Sequence, residues 1–184
     1  MLGTKSGFFG TTTDDCISIG YGALSGIANY SLDTANATKP SGNSNIAIGN
    51  YSLDASTSGA YNVAVGHNAA TTVTTGQYNA AFGFSALDAA TTGALRNTAI
   101  GSSSMRGAVV DDNTALGYNT LNVFTGSNAT AIGSSAAAVA VGQTNLTAVG
   151  KGALLAATSG NNNTACGYLT LSASINGASN TAVG

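Results

Sequence analysis

The sequence predicts an all-β protein, a parallel β-solenoid with about 17 residues per coil. Three observations predict it. A small-apolar-Gly triplet recurs along the chain, and from Gly49 to Gly184 successive copies lie 17, 17, 18, 16, 16, 17, 17 and 17 residues apart. A second apolar position follows each glycine at a fixed offset of four residues. Charged residues make up only 7% of the 184-residue chain, against roughly 25% in an ordinary soluble domain, while Gly supplies 25 residues. Self-similarity at a period in this range is the mark of stacked structural repeats, each burying its apolar side against its neighbours. Disordered low-complexity chains favour Pro, Glu and Lys and lack regularly spaced Ile, Val and Leu.

The triplet ends on Gly20, Gly49, Gly66, Gly83, Gly101, Gly117, Gly133, Gly150, Gly167 and Gly184, with an extra copy at Gly142. These are the structural glycines of the repeat, expected at a corner with positive φ or at a place where a Cβ would clash. Taking the glycine as position 0, position −1 is Ile19, Ile48, Val65, Phe82, Ile100, Leu116, Ile132, Val149, Cys166 and Val183. Side chains alternate along a strand, so −1 and −3 share one face and −2 takes the other. The −1 column is expected to fill the interior, joined by the +4 column: Leu24, Leu53, Ala70, Leu87, Met105, Leu121, Ala137, Leu154 and Leu171. Position −2 is Ser18 and then Ala47, Ala64, Ala81, Ala99, Ala115, Ala131, Ala148, Ala165 and Ala182. A column of Ala where better strand formers are available implies a space limit. Two arrangements satisfy it. Either −2 is the inner face of a very thin roll and −1 faces outward, or −1 is the core and the Ala column packs on a partner subunit; the second is favoured, because an outward −1 column would leave a long apolar stripe.

Asn and Thr just before the triplet, as in Asn97-Thr98 and Asn113-Thr114, are expected to stack as hydrogen-bonded ladders at the incoming corner. Each coil is expected to hold two short strands and two turns. Val139-Ala140-Val141-Gly142 divides one coil into steps of 9 and 8, as though both halves carried the same strand motif. Residues 1–14 match the repeat poorly and are expected to form a cap or lead-in, with the repeat domain over 15–184. Between Gly20 and Gly49, Ala28 is taken as a glycine substitute, which leaves an insertion loop of about four residues near 34–44.

The motifs Asn97-Thr98-Ala99-Ile100-Gly101, Asn113-Thr114-Ala115-Leu116-Gly117 and Asn180-Thr181-Ala182-Val183-Gly184, with Ala23-Leu24, Ala86-Leu87 and Ala153-Leu154, resemble the repeats of bacteriophage tail-fibre and virion appendage proteins. More loosely they resemble the head repeats of YadA-like trimeric autotransporter adhesins, whose units are shorter. The likeness covers residues 15 to 184. It implies a left-handed roll, three copies of which pack around an axis into a rod on a virion or an extracellular surface. The relatives of this pattern often continue into further segments, and an end on Gly184, where a coil would turn, is expected of a piece of something longer.

Little in the chain points to chemistry. His67 is the single histidine and is expected at an exposed corner. Asp14-Asp15 and Asp111-Asp112 are the only paired carboxylates and read as solvated turns, since a calcium site needs six or more oxygens. Cys16 and Cys166, 150 positions apart, are expected to be small buried residues and not a disulfide. No catalytic set, cofactor or metal site is expected, and the chain does not read as an enzyme. A net charge of −2 with scattered Lys and Arg disfavours nucleic acid. No apolar stretch approaches the ~18 residues of a membrane span, and the first residues lack the apolar run of a classical cleaved signal peptide. The expected partner is the chain itself, as a homotrimer with possible end-to-end filament growth, with a cell-surface glycan or protein as a second partner through Tyr21, Tyr30, Tyr51, Tyr61, Tyr78, Tyr118 and Tyr168. An ice-binding solenoid is a weaker alternative, because Thr at −3 gives way to Ile46, Val63 and Ala80.

Overall fold

Short strands separated by glycine corners stack directly on one another in a computed structural model of the chain, which describes residues 15–26, 42–90, 92–107, 109–156, 159–173 and 176–184. The strands are β1 (Ile17–Ile19), β2 (Ile46–Ile48), β3 (Val63–Val65), β4 (Ala80–Phe82), β5 (Thr98–Ile100), β6 (Thr114–Leu116), β7 (Ser127–Ile132), β8 (Thr144–Val149), β9 (Thr164–Cys166) and β10 (Thr181–Val183). They form one ten-stranded sheet in chain order, every pair parallel. Like stands on like: Ala64 pairs Ala81, Thr98 pairs Thr114, Ile132 pairs Val149. The protein is therefore a parallel β-solenoid, with eight regular turns from Gly49 to Gly184.

The interior is the opposite of the one expected from the −1 column. The middle residue of each strand points in: Ala47, Ala64, Ala81, Ala99, Ala115, Ala131, Ala148 and Ala165 are buried inside the single chain, with Ser18 alongside them and Ala182 half-buried in the last coil. Ile19, Phe82, Ile100, Leu116, Ile132, Cys166 and Val183 are exposed, and Ile48, Val65 and Val149 are half-buried on the same outward face. The physical reason is thickness. The opposite wall delivers Leu24, Leu53, Leu87, Met105, Leu121 and Leu154 at +4 into the roll, all essentially inaccessible. With that wall already bulky, only a methyl fits beneath it, so Ala lines the sheet side and the branched residues turn outward. The Ala column is thus core and not a subunit contact.

The opposite wall is not a second strand. Among the described residues it consists of turns in which +2 and +4 adopt left-handed backbone, with φ between +47° and +66° from Gly22 and Leu24 through Leu169 and Leu171. Left-handed backbone costs an L-residue roughly 1–2 kcal/mol. Hydrogen bonds between coils offset it: the Leu53 N–H donates to Ala69 O at 3.0 Å and the Leu87 N–H to Ser104 O at 2.9 Å. β-Branched side chains tolerate this conformation worst, and neither +2 nor +4 is ever Val, Ile or Thr.

Two further ladders hold the coils in register. Asn62 donates its backbone N–H to Asn45 Oδ1 at 2.9 Å and its Nδ2–H to Gly76 O at 2.9 Å. Asn79, Asn97 and Asn113 repeat the arrangement, all of them buried. Cys16 takes the Asn place in the first coil, its Sγ 3.3 Å from the Asn45 N–H and 3.6 Å from Gly42 O. Where the ladder position becomes Ala129 and Leu146, β7 and β8 lengthen to six residues, since no side-chain amide is left to bond the corner backbone. The second ladder is the glycine column. Gly66 has φ +142°, and a Cβ built on it would lie 2.3 Å from Gly83 O. Gly142 is not part of that column: it sits on the far side of its coil with φ +69° and nothing within 4 Å of an added Cβ. Its neighbours Val139, Ala140 and Val141 repeat the out-in-out alternation without forming a strand.

Direct pairing of β1 with β2 also revises the insertion. The 29 residues from Gly20 to Gly49 make one coil lengthened by 12, not an eight-residue step to Ala28 followed by a coil with a four-residue insertion. Gly42 already stands in register with Gly59, so residues 42–44 belong to the coil. Residues 27–41, with Tyr30 and the rest of the expected loop, and residues 1–14, with Asp14 and the expected cap, lie outside the described residues.

Candidate functional site

The surface that sets this molecule apart is the outer face of its sheet, made by the −3 and −1 columns. At β1 to β4 both columns are apolar: Ile17 and Ile19, Ile46 and Ile48, Val63 and Val65, Ala80 and Phe82. From β5 to β10 the −3 column becomes Thr98, Thr114, Thr130, Thr147, Thr164 and Thr181, while −1 remains Ile, Leu, Val or Cys. None of these twenty positions is charged. Leu116 is 46% exposed and Ile17 48%, which is unusual for large aliphatic groups on a flat sheet.

Two ridges border the face. On the −5 ridge every described residue has left-handed backbone, and several neighbours pair along the stack. Tyr61 and Tyr78 stack with ring centroids 5.1 Å apart and 3° between planes. Arg96 holds Asp112 through a two-point ion pair, Nε to Oδ1 at 2.6 Å and Nη2 to Oδ2 at 2.9 Å. That hydrogen bond keeps the Asp112 carboxyl below its ordinary range and the Arg96 guanidinium above its own. Asp111 accepts the Leu95 N–H at 2.8 Å, so the Asp111-Asp112 pair is engaged in the stack itself. On the other ridge Tyr21, Tyr51, His67 and Phe84 form a continuous run, with centroid separations of 5.5, 5.9 and 5.6 Å. His67 is an exposed corner residue in that run. Tyr118 and Tyr168, 62% and 67% exposed, stand further along the same edge.

The cysteines separate. Cys16 is half-buried in the Asn ladder, whereas Cys166 is an exposed member of the −1 column. Among the described residues there is no group of three His, Cys, Asp or Glu side chains placed to hold a metal ion, and no helix is long and apolar enough to cross a membrane. Burial pushes the Asp54 carboxyl up, while its hydrogen bond from the Ser25 hydroxyl pulls the other way. Comparison with protein-family models, with curated proteins and with solved structures gives no significant match to any of them.

Sequence reasoning picked out the right columns and reversed their direction. The absence of β-branched residues at +4 was the available signal: it argues against a strand there and for a left-handed turn carrying a large side chain inward.

Proposed function

We propose that this chain is a structural segment of an elongated appendage, a stiff rod in which copies pack side by side along the outer face of the sheet, with three copies as the expected number. One observation carries the reading: an uncharged, partly exposed apolar column runs the full length of a ten-rung hydrogen-bonded stack. Ten rungs at ~4.8 Å span about 43 Å. A continuous stripe of that length on an isolated subunit invites burial. The repeat resemblance favours a tail-fibre-like part of a virion, or an appendage on a cell surface, with a mechanical and not a catalytic role.

A second reading, attachment to a surface glycan or protein, has one observation in its favour. Tyr118 and Tyr168 carry well-exposed rings, whereas Tyr61 and Tyr78 stack face to face and Tyr51 meets Tyr21 and His67 edge to face along the ridges. In that reading the rod presents the two tyrosines and the lateral packing is unchanged.

Light scattering on the purified chain tests the main reading. A particle of about three times the 17.8 kDa chain mass is expected. A single-chain mass at micromolar concentration would remove lateral packing, and very long particles would show end-to-end growth instead.

A further inference from the structure

We infer that copies of this chain pack parallel and in register, with Phe82 of one copy seated on Ala80 of the next. The inference rests on the lateral packing proposed above and specifies its direction.

The occupant of the outer face is argued from three properties of that face. It repeats at the coil spacing over ten strands, and only a partner with the same repeat matches ridge to groove along that length. Between its two ridges it carries no charge that a partner of opposite sign could use. From the −5 ridge to the +1 ridge it measures roughly 20 Å by 43 Å, on the order of 900 Å², close to the ~800 Å² per partner of a stable interface. A second copy of this chain meets all three conditions.

Direction follows from one strand. In β1, β2 and β3 the two outward residues are identical, so they say nothing about orientation. In β4 they differ most: Ala80 at −3 is the smallest residue of its column, and Phe82 at −1 the largest of its own. An axis running along the rod, two-fold or three-fold, places −1 of one copy beside −3 of the next at the same rung. Phe82 then meets Ala80, and the filling of the interface stays even from rung to rung. A two-fold across the rod reverses the rung order and sets −3 against −3. Ala80 would then face Thr130, leaving a gap, and Phe82 would face Ile132, two bulky groups together. Close packing disfavours both a gap and a crowded pair.

The test is a size swap read by sedimentation over a concentration series, with far-UV circular dichroism to check folding. Phe82 is 39% exposed and Ala80 half-buried in the single chain, so both variants are expected to fold. Phe82→Ala opens a hole and Ala80→Phe creates a clash, each raising the dissociation constant by at least about tenfold. The double variant Ala80→Phe/Phe82→Ala is expected to return within about threefold of the native protein, since the bulky group again meets the small one. A double variant that adds the two losses overturns parallel packing. Singles without effect overturn this face as the interface while leaving some other lateral packing standing. A monomeric native protein overturns both this inference and the proposed rod.

Discussion

Replacing Gly83 with Ala and comparing it with Gly142→Ala separates the two kinds of glycine that carry the same sequence motif. Gly83 has φ +138°, a conformation open essentially to glycine alone and costing an L-residue about 1–3 kcal/mol. Its new Cβ would lie 2.6 Å from Gly101 O, 2.7 Å from Gly101 C and 3.1 Å from Ser102 N. These are backbone atoms of the next coil, tied to this one by the Gly101 N–H bond to Phe82 O at 2.8 Å. Relief requires the coils to part, which forfeits at least one such bond, worth about 1 kcal/mol, and loosens the Ala packing beneath. The sum is about 3–5 kcal/mol, a large share of an ordinary domain's stability. Gly142 has φ +69° and open space around an added Cβ, so its Ala variant pays only the left-handed backbone cost of about 1–2 kcal/mol. Urea unfolding followed by far-UV circular dichroism reads both. Equal losses in the two variants, or a loss below about 1 kcal/mol at Gly83, would refute the close-stacking argument.

Two other perturbations test the interior. Asn79→Ala removes a buried amide that donates to Ala94 O at 2.8 Å and accepts the Asn97 N–H at 3.0 Å; about 3 kcal/mol is expected from the stranded groups by the same unfolding measurement, and a loss under about 1 kcal/mol would refute the part given to the ladder. Asp54 has a carboxyl raised above 3.8 chiefly by burial, so its protonated form is favoured in the fold. Its stabilising effect is complete below 3.8 and is lost as pH rises through the folded value. Asp54→Asn is therefore expected to flatten the fall in thermal midpoint between pH 4 and pH 7, and a steeper fall in the variant would show that the Ser25 hydrogen bond outweighs burial.

Much of this solenoid was legible in the residues alone. The 16- to 18-residue steps define the coil, because stacked coils repeat a length only when like positions stand on one another. The Asn ladder and the +4 apolar column were legible for the same reason, and the structure pairs both coil by coil. The twelve-residue lengthening before Gly49 was obscured by the chance likeness of Ile27-Ala28-Asn29-Tyr30 to Ile48-Gly49-Asn50-Tyr51, and only the pairing of β1 with β2 resolved it.

What the sequence by itself determined is the period, the corners and the set of columns. What only the tertiary structure decided is which way the strand faces. A two-residue alternation has a sense only when one side is polar, and here Ala64 and Val65 are both apolar, so hydrophobicity does not choose between them. The choice is made by volume: Leu53 and Leu87 from the turn wall already occupy the roll, leaving room for Ala and none for Val or Ile. The branched residues are driven outward, and side chains that would otherwise have been core become the exposed outer face of the sheet.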